Sequence, residues 1–445
     1  MAGIAGGLDF IRTSFRAGRK YLAIIDDFDK GRDDRNMKRY KLVCGQCHEE
    51  YERDYYQCPK CGGTLHTVYQ WKDIDEIKKT IKTASCYWDY QPCFTVERES
   101  RKVTMGEGFT PCIHAENLGD CLGIEKLYIK NESVNPSSTF KDRCMSISFS
   151  KALESGADAV VIGSAGNAGA AAAAYSARAG ITCYVMVPAN TSIQRIAQIQ
   201  NYGAKVITVK GSVTDCIDLI GKVYKKYGWH NVTTASRYNP FQADAEKAIA
   251  YEMAKQMDWK VPDWIAVPVG GGGILSGIYR GYKDMLELGL ISRLPRMIGT
   301  QEEGCNPLVR AFRCRVSPAQ IEKVENPQGV AVAIADAFPL DGETALAAIY
   351  DSDGWAEDAS DEEIMEAQAL IGRNEGIFAE TASSTTVACV KKMKEQKLIK
   401  DGETVACVIT GNGMKELSLL ASRGIAPVPI DADVKELDEL LKKSF

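Results

Sequence analysis

At 445 residues the chain exceeds what one hydrophobic core comfortably organises, so two or more domains are expected. It is 45% hydrophobic and 25% charged, the balance of a globular protein. A net charge of −5, with acids and bases interleaved, argues against a nucleic-acid partner, which would favour a basic face.

Residues 1–40 read as an N-terminal extension. Arg12, Arg16, Arg19 and Lys20 face one acid, Asp9, a faint organelle-targeting composition without the apolar core of a signal peptide. No apolar run is long enough to span a membrane. The 15 cysteines are odd in number and widely spread, which suits thiols in a reducing, cytoplasmic compartment better than a disulfide framework.

Four of those cysteines stand apart. Cys44-Gly45-Gln46-Cys47 and Cys58-Pro59-Lys60-Cys61 are two knuckles separated by ten residues. Two such pairs can offer four thiolates to a structural zinc, with no coordination position left open for catalysis. A small zinc ribbon is therefore expected over 41–70, with His48 and His66 as bystanders.

From about Leu127 apolar runs alternate with helical patterns. Strands are predicted at 158–163, 181–187, 204–209, 263–269, 296–301 and 404–409, with helices at 168–179 and 193–202. This alternation predicts an α/β protein of open, mostly parallel sheets. We expect a large lobe of 71–125 and 256–445 and a small lobe of 126–255. In such sheets ligands bind beyond the carboxyl ends of the strands. Three loops fall there: Ser164-Ala165-Gly166-Asn167-Ala168-Gly169, Gly270-Gly271-Gly272-Gly273 and Thr410-Gly411-Asn412-Gly413. Four glycines before a helix offer bare N–H groups to a phosphate. Upstream, Lys141 lies in Asn135-Pro-Ser-Ser-Thr-Phe-Lys-Asp-Arg143, where a turn meets a helix start. A lysine that forms a Schiff base needs such a fixed position, although most lysines in a Lys-Asp-Arg run are solvated.

With these parts in place, the chain resembles the threonine synthase family of fold type II pyridoxal-phosphate enzymes from about Cys44 to Lys415. Seven segments in family order carry the likeness: 106–111, 135–143, 164–169, 239–241, 267–273, 376–380 and 410–411. The resemblance implies that Lys141 holds pyridoxal phosphate and moves protons at Cα and Cβ. It implies that Asn167 meets the cofactor's 3-hydroxyl, that Gly270, Gly271, Gly272 and Gly273 cradle its phosphate, and that Thr410 faces its ring nitrogen. Ser164, Ala165, Gly166, Asn167 and Ala168 would border the substrate, whose carboxylate would meet N–H groups of that turn. A homodimer acting on a small amino acid is usual for such relatives.

The chain departs from the family where the substrate's phosphate is held. Ala168 replaces a threonine, and Gln242, in Asn239-Pro-Phe-Gln-Ala-Asp-Ala-Glu-Lys247, replaces an arginine. A phosphate dianion needs charge-assisted partners. Arg237 is a candidate replacement, and Lys247 keeps its family position. Cys144, Thr381 and Asn412 also replace a usual Gly, Pro and His. Three readings stand: a threonine synthase acting on O-phosphohomoserine; a paralogue performing β-replacement or β-elimination on a serine, phosphoserine or threonine derivative; and a non-catalytic adaptor built on the ribbon or the cofactor site. Retention of Lys141, Asn167, the glycine loop and Thr410 argues against the third.

Overall fold

A computed structural model describes residues 38–98, 101–417 and 427–444, so nearly all of the expected N-terminal extension lies outside the described residues. Among the described residues the chain begins with a three-stranded sheet formed by β1 (Tyr40–Cys44), β2 (Glu50–Tyr51) and β3 (Leu65–Tyr69) in the order β2-β1-β3. Both pairings are antiparallel. The alternation of β1 turns Tyr40, Leu42 and Cys44 inward against Leu65.

The body holds two further sheets. The larger runs β12-β11-β10-β13-β5-β4. Its strands are β4 (Cys112–His114), β5 (Lys126–Asn131), β10 (Trp264–Pro268), β11 (Arg296–Glu302), β12 (Trp355–Ala359) and β13 (Thr404–Ile409). All pairs are parallel except β4 with β5 at the edge. Every residue of β10 is buried, as a strand covered on both faces requires. The smaller sheet, β8-β7-β6-β9, is parallel throughout. It comprises β6 (Ala159–Gly163), β7 (Thr182–Pro188), β8 (Lys205–Val209) and β9 (His230–Asn231). The α/β class and mostly parallel sheets agree with the sequence reading. Strand β5 begins at Lys126 and bonds to β13 of the larger sheet, so we propose that the small lobe starts beyond Asn131.

Two helices follow the lysine turn and the Ser164 loop. Lys141–Glu154 is buried from Asp142 to Ala152 and packs Met145 and Phe149 into the smaller sheet's core. Asn167–Ala179 follows β6 and joins the same core through Ala168, Ala171, Ala172 and Ala173. From Gly413 onward the chain forms a separate unit, in which Val434–Ser444 is helical. No described helix is long and apolar enough to cross a membrane.

Candidate active site

The segment before Lys141 is stitched to the end of β13. Phe140 N–H donates to the Thr410 carbonyl at 3.0 Å, and Asn412 N–H donates to the Ser138 carbonyl at 3.2 Å. Ser138 takes a positive φ of 63°, which turns the chain into the helix. Asp142 closes the turn by accepting from the Ser137 N–H at 2.6 Å and from its hydroxyl.

The adjacent charge is deeply buried. Arg143 meets Glu132 through Nε and Nη2 at 2.7 and 2.8 Å, and Glu252 through Nη1 and Nη2 at 2.6 and 2.7 Å. Lys130 adds a second cation at 2.7 Å from Glu252. Burial alone would raise both carboxyls, but Arg143 overrides it: Glu132 is lowered and Glu252 is held down to about 2. The first turn of the lysine helix is thereby pinned from its inner side. Lys141 itself is half-buried, with its Nζ 3.2 Å from Thr234 Oγ1 and 4.6 Å from the Phe140 ring centroid.

The Thr410 end is a hydroxyl relay. Ser383 Oγ accepts the N–H groups of Thr410 and Gly411 at 3.0 and 3.1 Å and lies 3.0 Å from Thr410 Oγ1. With both its acceptor positions taken, Ser383 donates to Thr410 and leaves the Thr410 proton for another acceptor. Beside it, Glu380 accepts from Asn167 Nδ2 through both oxygens, at 3.0 and 2.9 Å. A Cβ at 411 would run into the Glu380 carboxylate, so a larger residue there would displace the acid that Asn167 meets.

The glycine loop leads into the helix Gly273–Glu287, whose N-cap, Gly272, has φ of 99° and supplies no side-chain cap. Its N–H groups are thus left for a ligand. Two acids flank it. A Cβ on Gly270 would sit 2.9 Å from Asp336 Oδ2, and one on Gly273 would sit 3.1 Å from Asp341 Oδ2. Burial pushes Asp341 up to about 6, against the Ser236 N–H it accepts at 2.9 Å. Asp336 is solvent-accessible beside Gly270, and partial desolvation raises its carboxyl against the pull of Lys141.

Lys141, Asn167, Thr410 and Gly411 are brought together, with Thr234 and Ser236 leading towards the glycine loop. At the Ser164 turn, Gly166 N–H donates to Ser164 Oγ at 3.2 Å, and Ser164, Ala165, Gly166 and Asn167 stay half-buried. Ala168 instead belongs to the apolar core of the smaller sheet. Gln242 is buried, while Arg237 is exposed with its guanidinium 6.0 Å from the Tyr238 ring. Lys247 is buried between Asp244 and Asp284, at 3.3 and 3.0 Å. Glu380, Ser383, Thr234, Asp336 and Asp341 escaped sequence reasoning; only the 376–380 segment carried a signal, through the family likeness.

In the ribbon, Cys44 and Cys61 Sγ are 3.5 Å apart and Cys47 and Cys58 Sγ 3.6 Å, with all four within 4.8 Å of one another. The edge of a tetrahedron of thiolates around zinc is about 3.7 Å, so the four sulfurs fit that ion. His48 and His66 are not part of the cluster.

A lysine amine at a helix start, a strand-end hydroxyl and a glycine loop at an uncapped helix are the groups that the resemblance to fold type II pyridoxal-phosphate enzymes calls for. Residues 103–411 match the family of pyridoxal-phosphate dependent enzymes. Threonine synthase of Methanocaldococcus jannaschii is 39% identical over 406 residues, covering 90% of this chain and 99% of that protein. The Methanosarcina acetivorans threonine synthase is 38% identical, covering 90% and 98%. The chain belongs to the threonine synthase family and is a pyridoxal-phosphate-dependent lyase. This sets aside the adaptor reading. Among solved structures, tomato (Solanum lycopersicum) threonine deaminase isoform 2 superposes with a TM-score of 0.61 at 19% identity, covering 81% of this chain and 96% of that one. Maize serine racemase gives 0.61 at 18%, covering 71% and 92%. At such identities these two speak for the fold alone.

Proposed function

We propose that the enzyme eliminates phosphate from O-phosphohomoserine and adds water at Cβ to give threonine. The observation that carries this reading is the setting of Lys141: an amine with one hydroxyl partner, on a helix start pinned by Arg143 and stitched to Thr410. Near full-length similarity to two proteins named threonine synthase supports the choice of substrate. Bound pyridoxal phosphate supplies an electron sink for charge developing at the amino acid's Cα. Lys141 would hold it and carry protons at Cα and Cβ. Thr410 would donate to its ring nitrogen without forcing that nitrogen to stay protonated, which moderates the sink and suits elimination and replacement. Gly270 to Gly273 would receive its phosphate. Asn167, tied to Glu380, would border its ring hydroxyl, and Ser164 to Gly166 the substrate carboxylate.

A second reading, β-replacement or β-elimination on a serine, phosphoserine or threonine derivative, is favoured by the substrate side of the cleft. Ala168 is packed into a core, Gln242 is neutral, Arg237 is exposed and Lys247 is already matched by two carboxylates. Phosphate release from O-phosphohomoserine by the yellow holoenzyme, with threonine identified as product, decides between them. No release, together with turnover of L-serine or O-phosphoserine, would overturn the first reading and establish the second.

We propose structural zinc on Cys44, Cys47, Cys58 and Cys61; well under one zinc per chain by metal analysis would remove it. We also propose a cytoplasmic homodimer. The free thiols suit a reducing compartment, and a monomer by light scattering would refute the dimer.

A further inference from the structure

The ribbon sits on the segment that departs from the family pattern. Asp244 is fully buried, and its carboxylate takes four donors. Two come from β3 of the ribbon: Thr67 Oγ1 and the Tyr69 hydroxyl, each 2.8 Å from Oδ2. Arg280 and Lys247 approach Oδ1, each at 3.3 Å. Phe241 enters the ribbon's own core beside Leu42, Leu65, Cys44 and Cys58. Tyr56, two residues before the second knuckle, packs edge-on to Phe241 at 5.6 Å and reaches His230 Nδ1 at 2.6 Å. Burial lowers His230 to about 3, so its ring is neutral where it meets the Tyr56 hydroxyl.

From Asp244 the contacts run on to the lysine helix. The Ala245 carbonyl accepts from the Tyr87 hydroxyl at 3.3 Å, and the same hydroxyl lies 3.2 Å from the Arg143 carbonyl. Glu246 accepts from the Cys144 thiol at 2.9 Å, one helical turn after Lys141. Asn239 Nδ2 lies 3.2 Å from Ser148 Oγ on that helix.

We propose that the cysteine ribbon is the brace of the substrate-side segment 239–247: Thr67 and Tyr69, held in place by a metal-closed knuckle, fix Asp244 and through it the stance of Gln242, Glu246 and the lysine helix. These are positioning residues, and their role at the pocket rests on the reading that 239–247 borders the substrate. The element with two states is the ribbon. Its core is a handful of side chains on three short strands, too small to hold its shape without the four thiolates closed on a metal. When the knuckle opens, β3 loses its anchor and Asp244 loses half its donors. A buried carboxylate so stripped must move or draw in water.

Hydrogen–deuterium exchange on the zinc-bearing holoenzyme tests this independently of which amino acid is turned over. Two perturbations are compared: zinc removal by a chelator, and Thr67→Val with Tyr69→Phe, which keeps shape and deletes both bonds to Asp244. Each should raise exchange in peptides covering 239–249 about tenfold, from the worth of charge-assisted bonds, and leave β6 and β7 unchanged. KM for whichever amino acid is turned over should rise more than kcat falls. Should the double variant not fold, Tyr56→Phe removes the His230 bond alone and predicts a smaller rise at β9 and 239–249. Unchanged exchange at 239–249 after zinc has left or the two bonds are deleted overturns the brace, as does exchange rising equally in every strand. If the brace holds while O-phosphohomoserine is inert, only the substrate assignment falls.

Discussion

Replacing Arg143 by methionine probes whether the first turn of the lysine helix is held electrostatically. The side chain is fully buried and neutralises two carboxylates, each through a pair of hydrogen bonds. Methionine fills the volume but leaves Glu132 and Glu252 with Lys130 as their remaining buried cation. Breaking one partner out of a buried ion pair costs about 3–5 kcal/mol. We therefore expect Arg143→Met to lose about 3–5 kcal/mol of unfolding free energy at about pH 7.5, read from urea transitions with cofactor in excess.

The sign of the pH dependence makes the test specific. In the parent both carboxyls are depressed, Glu252 to about 2, so their contribution is present above the unfolded value and is lost as pH falls through the folded one. Between pH 7.5 and 5 the parent thus changes little on this account. In the variant the stranded carboxyls rise above the unfolded value, and the folded state takes up protons as pH falls. The stability gap should narrow at about pH 5. A loss under about 1 kcal/mol, or a gap equal at both pH values, would refute the reasoning.

Three shorter predictions bear on the cleft. Lys141→Ala should abolish turnover and the visible absorbance of the bound cofactor while leaving the unfolding transition close to the parent's, since Nζ gives up a single hydrogen bond, to Thr234; retained turnover would remove the role assigned to Lys141. Asp341→Asn keeps an acceptor for the Ser236 N–H and removes a carboxyl raised to about 6. The acid's stabilising, protonated form is complete below its unfolded value and lost as pH rises through about 6, so the variant should be more stable at pH 8 by at most about 3 kcal/mol, with the gain gone below about pH 4. A gain independent of pH would contradict this. Gln242→Arg should lower KM for O-phosphohomoserine about tenfold if the side chain borders the substrate phosphate, and leave unphosphorylated substrates unaffected; no change would place residue 242 away from that group.

The covered strands β6 and β13 were legible because they are apolar on both faces. The reading of 158–163 became Ala159–Gly163, and 404–409 became Thr404–Ile409. Trp355–Ala359 was not legible, because Trp-Ala-Glu-Asp-Ala lacks the apolar run of a covered strand. Glu357 and Asp358 are nonetheless buried, since Arg313 meets them at 2.6 and 2.7 Å. A partner 44 residues away leaves no mark on the local pattern. The same holds for Glu380, whose contact with Asn167 spans 213 residues. Arg143 shows the reverse: a Lys-Asp-Arg run that composition would leave in solvent is buried, because its counter-charges arrive from Glu132 and Glu252.

The cleft divides along the same physical line. The side we assign to the cofactor rests largely on backbone features: a glycine loop at a helix start, the Thr410 and Gly411 N–H groups on Ser383 Oγ, and a lysine at a turn. Those features need glycine, small hydroxyl residues or a fixed lysine at set positions, and such requirements leave motifs in the chain. The side we assign to the substrate rests on single side chains whose charge is met by neighbours from elsewhere. Lys247 keeps the family's residue type, yet Asp244 and Asp284 hold it in ion pairs. Asp244 is in turn held by ribbon residues about 175 positions earlier in the chain. Residue type at 247 alone therefore does not fix what that side chain is free to pair with, because Asp244 and Asp284 already meet its charge. The position of Asp244 is set jointly by the ribbon and by Arg280 and Lys247 of the larger body.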